Sequence, residues 1–232
     1  ELVGLHAHIG SQVFEVGPFS RAVEVLAGFA APFGLPELSV GGGLGVPYVE
    51  GESAPSLTEW AAGIHEVCEA VGVAARVSAE PGRAIVAAAA VTLYRVGTVK
   101  DLPGIRTYVA VDGGMSDNPR PVLYGSGYET LLPRAADAER PRAVRVVGKH
   151  CESGDLLVRE GWVPDGLVVG DVLATPVTGA YGHAMGSNYN HVLRPAVVFV
   201  ADGDAREVVR RESFDDLVAR EATGAGAEEF ES

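Results

Sequence analysis

The sequence predicts a parallel α/β unit followed by a mostly β part, and three observations carry that reading. Strand and helix patterns alternate strictly up to about residue 90. Beyond that point the apolar segments are β-like and separated by Gly and Pro turns. Three polar, glycine-bearing clusters directly follow strands, where parallel α/β folds bind ligands.

The first strand is read over residues 2–9, with His6 and His8 on one face because side chains alternate with period two. Pro18 opens a helix whose apolar stripe is Phe19, Val23, Leu26, Ala30 and Phe33, and Gly34 and Pro36 stop it. Leu38-Ser39-Val40 is the second strand and runs into Gly41-Gly42-Gly43. Ser56 caps a second helix, with Glu59 completing a capping box. Trp60, Ile64, Val67 and Val71 form its apolar face, and Gly72 ends it. Residues 73–79 form the third strand, which leads into Glu80-Pro81-Gly82-Arg83. Residues 91–99, 106–111, 143–148, 171–177 and 197–201 then read as strands. A short helix is expected over 213–220 and a loose tail over 221–232. The organisation expected is 1–92 α/β, 93–212 β, and 213–232 terminal helix and tail.

Composition narrows the function. The 232 residues are 47% hydrophobic and 21% charged, which is ordinary for a folded domain. A formal charge of −13 argues against nucleic acid, whose phosphates need clustered Lys and Arg. Cys68 and Cys151, the only cysteines, form no metal-binding pair or disulfide framework, so a reducing, cytoplasmic setting is expected. No run of about 18 apolar residues marks a membrane helix. The chain opens at Glu1 straight into a strand, from which a missing N-terminal portion is expected.

Each cluster has a chemical and a plain reading. In His6-Ala7-His8-Ile9-Gly10-Ser11-Gln12 an imidazole could stack on a flat ring and a hydroxyl could bond phosphate, or the residues could simply be strand-end polar groups. Gly41-Gly42-Gly43-Leu44-Gly45 could wrap an anion with backbone amides or be a tight turn, and it has neither dinucleotide nor P-loop spacing. In Glu80-Pro81-Gly82-Arg83 a carboxylate could hold a protonated ring nitrogen and a guanidinium could clamp phosphate or carboxylate, or the two could be a surface ion pair. Within Gly148-Lys149-His150-Cys151-Glu152-Ser153-Gly154-Asp155 a thiol beside acids could act as acid or nucleophile, or be a small buried side chain. Asp112–Pro121 and Gly179-Ala180-Tyr181-Gly182-His183 are also unusually polar.

In this order the clusters resemble the fold-type III pyridoxal-phosphate decarboxylases, the family of diaminopimelate, ornithine and arginine decarboxylases. The likeness runs from His6 to about Pro195, through His-Ile-Gly-Ser-Gln, Gly-Gly-Gly, Glu-Pro-Gly-Arg, Asp-Gly-Gly-Met-Ser-Asp-Asn-x-Arg-Pro, Cys-Glu-Ser-Gly-Asp and Gly-Ala-Tyr. It implies the C-terminal part of an alanine-racemase-like TIM barrel followed by a mostly antiparallel β-domain. The implied cofactor is pyridoxal 5′-phosphate, and the implied assembly is a homodimer with shared active sites. By resemblance His8 stacks on the cofactor ring, Ser11 with Gly41, Gly42 and Gly43 holds its phosphate, and Glu80 partners the ring nitrogen. Gly82 and Arg83 complete the clamp on cofactor and substrate. Arg120 and Tyr124 bind substrate, Tyr181 touches substrate and cofactor, and Cys151 donates a proton across the dimer interface.

Glu152, Met115-Ser116-Asp117-Asn118 and Ser187-Asn188-Tyr189-Asn190 match the diaminopimelate pattern, since the distal carbon of that substrate bears both ammonium and carboxylate. The implied reaction is decarboxylation of meso-2,6-diaminopimelate to L-lysine. The alternatives are an ornithine- or arginine-type decarboxylase and a non-catalytic regulatory relative pairing with a full-length subunit. Lys100 and Lys149 are the only lysines, and neither stands where the family places its cofactor-bearing lysine. The expectation is a C-terminal fragment that is inactive alone.

Overall fold

The computed structural model describes residues 1–221, so most of the expected tail lies outside the described residues. Its first part is β1 (Gly4–His6), α1 (Gly17–Ala30), β2 (Glu37–Ser39), α2 (Leu57–Ala70) and β3 (Arg76–Ser78). The strands pair in parallel in the order β1-β2-β3, in register Gly4↔Glu37 and Leu38↔Val77. Each ladder is three residues long, much shorter than the strands expected over 2–9 and 73–79. The backbone leaves the ladder early and converges on the glycines after β2, where Ala7 N–H still bonds Ser39 O at 3.0 Å and Glu80 N–H bonds Gly41 O at 2.7 Å.

Helices α1 and α2 pack on each other, with Phe19 and Trp60 in an edge-to-face contact at 5.4 Å. Val23, Val40, Leu44, Ile64, Val67 and Cys68 complete this core. The stripe expected on α1 is narrower in fact: Phe33 falls beyond the helix and is 55% exposed, and Val71 at the end of α2 is likewise exposed. The Ser56–Glu59 capping box is formed in full, Ser56 Oγ accepting Glu59 N–H at 3.1 Å and Glu59 Oε2 accepting Ser56 N–H at 2.8 Å. Gly72, at φ +68°, turns the chain out of α2 in a conformation that favours glycine.

A short helix, α3 (Gly82–Val86), follows β3 and was not foreseen. The β part contains β4 (Val91–Leu102), β5 (Arg106–Val111), β6 (Arg142–Val147), β7 (Leu156–Val163) and β8 (Val172–Pro176), in the order β7-β6-β5-β4-β8. The expected division at residue 92 falls inside β4. The sheet is mixed, because β5 and β6 run parallel while the other neighbours are antiparallel. Parallel neighbours need a long crossover. Residues 112–141 supply it, with α4 (Arg120–Tyr124) inside them, and they carry the polar Asp112–Pro121 stretch. Tyr94, Val96, Val109, Val146, Val158 and Leu173 are almost wholly buried in the core beneath. Tyr48, from the loop after β2, is part of that same core and meets Tyr128 edge to face at 5.1 Å, so the two parts share packing.

After α5 (Gly182–Met185), β9 (Val197–Ala201) and β10 (Asp204–Val209) form a hairpin whose turn, Asp202-Gly203, has both φ angles positive. The sequence reading missed β7 and β10. The chain reaches α6 (Phe214–Val218) through a second capping box, Ser213 with Asp216.

Candidate active site

The three loops that leave the carboxyl ends of β1, β2 and β3 meet at Gly41-Gly42-Gly43. A Cβ at Gly41 would overlap Ala7 O, one at Gly42 would overlap Glu80 O, and one at Gly43 would overlap Gly10 O. Three backbones approach so closely here that no side chain fits. Gly42 N–H points at His8 Nδ1 at 3.3 Å, which orients the exposed imidazole beside the glycines.

Glu80 stands at the same strand end. Its Oε1 accepts Ser39 Oγ–H at 3.0 Å, and His6 Nε2 lies 3.2 Å and 3.3 Å from its two oxygens. The Ser39 hydroxyl first, and the His6 ring second, hold the Glu80 carboxyl below the usual carboxylate range. A depressed carboxyl stabilises the fold above its unfolded titration, and that contribution is lost as pH falls through the folded value. Ser39→Ala is therefore expected to move the Glu80 titration upward toward an ordinary carboxylate, followed by carboxyl carbon NMR. An unmoved midpoint would contradict the assignment of the Ser39 bond.

Arg83, on α3, is buried and ties the loops together. Its Nη2 donates to Ser11 Oγ at 2.9 Å and its Nη1 to Tyr48 Oη at 2.7 Å, while its guanidinium lies 4.8 Å from the Tyr181 ring centre. Arg120, at the start of α4, is buried too. It donates to Tyr128 Oη at 3.1 Å and Ser126 Oγ at 3.2 Å, and stacks on Tyr48, Tyr124 and Tyr181 at 5.3, 5.4 and 5.5 Å. Tyr181 holds its ring there from a left-handed backbone, φ +68°, which costs a non-glycine residue on the order of 1 kcal/mol. A cleft of about 390 Å³ opens beside it, between α3 and the Gly179–Tyr181 turn.

Two buried guanidiniums thus share the rings of Tyr48 and Tyr181, and among the described residues neither has a carboxylate within 4.0 Å. Buried cations are normally paired. Hydroxyls and ring faces offset part of the cost, and an anionic ligand would offset the rest.

His8, Ser11, Gly41, Gly42, Gly43, Glu80, Gly82, Arg83, Arg120, Tyr124 and Tyr181 are therefore joined through direct contacts or adjacent loops. Cys151 and Glu152 are exposed in a separate loop after β6, and no hydrogen bond or ring contact of the described residues links them to Arg83 or Tyr181. Tyr48, Ser39 and Tyr128 were not foreseen. Tyr48 alone left a trace in the sequence, as an aromatic residue soon after a glycine-rich strand end.

A profile of the family described as "Pyridoxal-dependent decarboxylase, pyridoxal binding domain" matches residues 1–87, the segment that contains all three strand-end loops. Over that segment the chain is similar to the pyridoxal-dependent decarboxylases. Along 95% of its length the chain is 50% identical to the diaminopimelate decarboxylase of Actinosynnema pretiosum, and along 94% it is 45% identical to that of Synechocystis sp.. It covers 51% and 49% of those two proteins. The crystal structure of diaminopimelate decarboxylase from M. jannaschii in co-complex with L-lysine superposes with a TM-score of 0.87 at 31% identity, over 96% of this chain and 52% of that one. The chain thus spans about half the length of the relatives it matches.

Proposed function

We propose that this chain carries part of the active site of a pyridoxal-phosphate-dependent carboxy-lyase that converts meso-2,6-diaminopimelate to L-lysine. The observation that carries the proposal is the pair of buried arginines, with no carboxylate within 4.0 Å among the described residues, beside a strand-end carboxylate and an oriented imidazole. That donor set fits pyridoxal phosphate: a hydroxyl, a guanidinium and a tight glycine turn for a phosphate, a carboxylate for a ring nitrogen, and imidazole and phenol faces for a flat ring. The 45–50% identity to proteins named diaminopimelate decarboxylase supports the substrate. In this reading β1 to β3 belong to an alanine-racemase-like TIM barrel, residues 1–92, and 93–212 form the β-domain.

When bound, the cofactor would supply an electron sink for the electron pair left as CO₂ departs. Glu80 would keep a proton on the ring nitrogen, Ser11, Arg83 and the Gly41–Gly43 turn would hold the phosphate, and His8 would lie against the ring. Arg120 and Tyr124 bind a substrate carboxylate, and Tyr181 bounds the pocket. Cys151 Sγ–H delivers a proton to the carbon that lost its carboxylate, and Glu152 faces the distal ammonium. Because Cys151 and Glu152 lie apart from the arginines, they serve the site of a second copy, in a homodimer with shared active sites.

The test offers the protein, in the longest form its gene encodes, meso-diaminopimelate, ornithine and arginine with added pyridoxal phosphate. Release of CO₂ is expected from diaminopimelate foremost, and a preference for either other substrate would overturn the assignment. Glu152→Asp shortens the acid by one methylene and is expected to shift the ratio of diaminopimelate to ornithine activity toward ornithine by roughly tenfold; an unchanged ratio would remove Glu152 from substrate selection. Lys100 lies exposed in β4 and Lys149 beside Cys151, neither in contact with His8 or Glu80. Borohydride reduction of the 232-residue chain mixed with pyridoxal phosphate is therefore expected to leave no more cofactor mass on either lysine than on the exposed lysines of an unrelated protein treated alike.

A further inference from the structure

We propose that Tyr189 is a positioning residue for Glu152, its hydroxyl fixing the carboxylate in the orientation that reads the distal end of the substrate. The proposal rests on the function assigned above and gives a role to a residue that the sequence offered only as part of the Ser187–Asn190 stretch. Tyr189 Oη donates to Glu152 Oε1, the hydrogen bond that restrains this exposed side chain. A free glutamate on a surface loop samples many rotamers and loses that freedom each time it binds a ligand. A fixed donor on one oxygen removes most of that freedom beforehand and leaves the other oxygen for an ammonium.

The anchor behind Tyr189 makes this more than a surface contact. Its ring lies on the His150 imidazole, 5.4 Å between centres and 34° between planes. His150 is buried, with Nε2 2.9 Å from Ser116 Oγ and its backbone N–H donating to Asp155 Oδ2 at 2.8 Å. Asp155 is also buried, and its other oxygen accepts Met115 N–H at 2.6 Å. A Cβ at Gly114 or Gly148 would run into Asp155, so these loops can only close with glycine there. Ser187 N–H bonds Ser116 O at 2.9 Å, which draws the segment bearing Tyr189 into the same knot. Three loops, after β5, after β6 and after α5, are thus held by Asp155 and His150, and the assembly presents Cys151 and Glu152 side by side at its surface. The carboxylate in turn pushes the Tyr189 hydroxyl up, so it stays protonated and able to donate at neutral pH.

Tyr189→Phe keeps the ring on His150 and removes only the donor. In steady-state assays of the longest form the gene encodes, KM for meso-diaminopimelate is expected to rise about tenfold, the weight of one hydrogen bond to a charged group, with kcat within about twofold. In a Glu152→Gln background the same change is expected to add less than about twofold, because its effect passes through Glu152. Equal losses of kcat and kcat/KM, or full additivity in that background, would overturn the proposal. Should the unaltered protein not decarboxylate diaminopimelate, the functional assignment fails by itself. The contact is then decided by NMR of carbon-labelled tyrosine: Glu152→Gln should lower the Tyr189 hydroxyl titration, and an unmoved titration would overturn the positioning role.

Discussion

Replacing Cys151 by alanine is expected to lower kcat by about 10²–10⁴-fold, the range for loss of a positioned proton donor, and to leave the cofactor content unchanged. The separation follows from the geometry, since Cys151 is exposed and touches none of the residues assigned to the cofactor. Cys68, the other thiol, is buried in the α/β core, where burial pushes its thiol up, so it cannot substitute. The same variant tests the shared site. Mixed in equal amounts with an Arg83 variant and allowed to re-associate, half the dimers contain one intact site of two, so about a quarter of the unaltered activity should return. No recovery would place Cys151 and Arg83 in the service of the same copy.

Arg83→Met is the second large effect expected, and its signature is a loss of binding without a loss of stability. The guanidinium is buried and, among the described residues, bonds the neutral hydroxyls of Ser11 and Tyr48. An apolar side chain of similar length removes the cost of burying a cation, which offsets the loss of its bonds to two neutral hydroxyls. Removing the anion's partner should cost about 3 kcal/mol of cofactor binding, roughly a hundredfold in Kd. Fluorescence titration with pyridoxal phosphate and a melting curve measure both. A Tm several degrees lower with unaltered affinity would mean that Arg83 serves the fold alone.

The parts of this molecule set by local chemistry were legible in the sequence. The Ser56–Glu59 box, the stop at Gly72 and the alternation of the first three strands depend on residues a few positions apart, and all appear where expected. The glycine run was legible as a tight backbone, but not its reason, which is the approach of three carbonyls from residues 7, 10 and 80. Strand β7 was missed because its pattern is broken by Arg159, Glu160 and Gly161, and its place comes from pairing with β6. β10 is exposed throughout and has no apolar face to betray it, although Asp202-Gly203 announces the hairpin. In the site, Tyr48 meets Arg83 across 35 positions and Tyr189 meets Glu152 across 37. Contacts of that span are products of topology, and no local pattern reveals them.

The central claim is that Glu80, set by Ser39 and His6, faces the ring nitrogen of a bound pyridoxal phosphate. Nitrogen NMR of the protein loaded with ring-labelled cofactor at mildly alkaline pH measures this directly. A protonated ring nitrogen is expected in the unaltered protein and a neutral one in Glu80→Ala; the same signal in both, or that of the free cofactor in solution, would contradict the account.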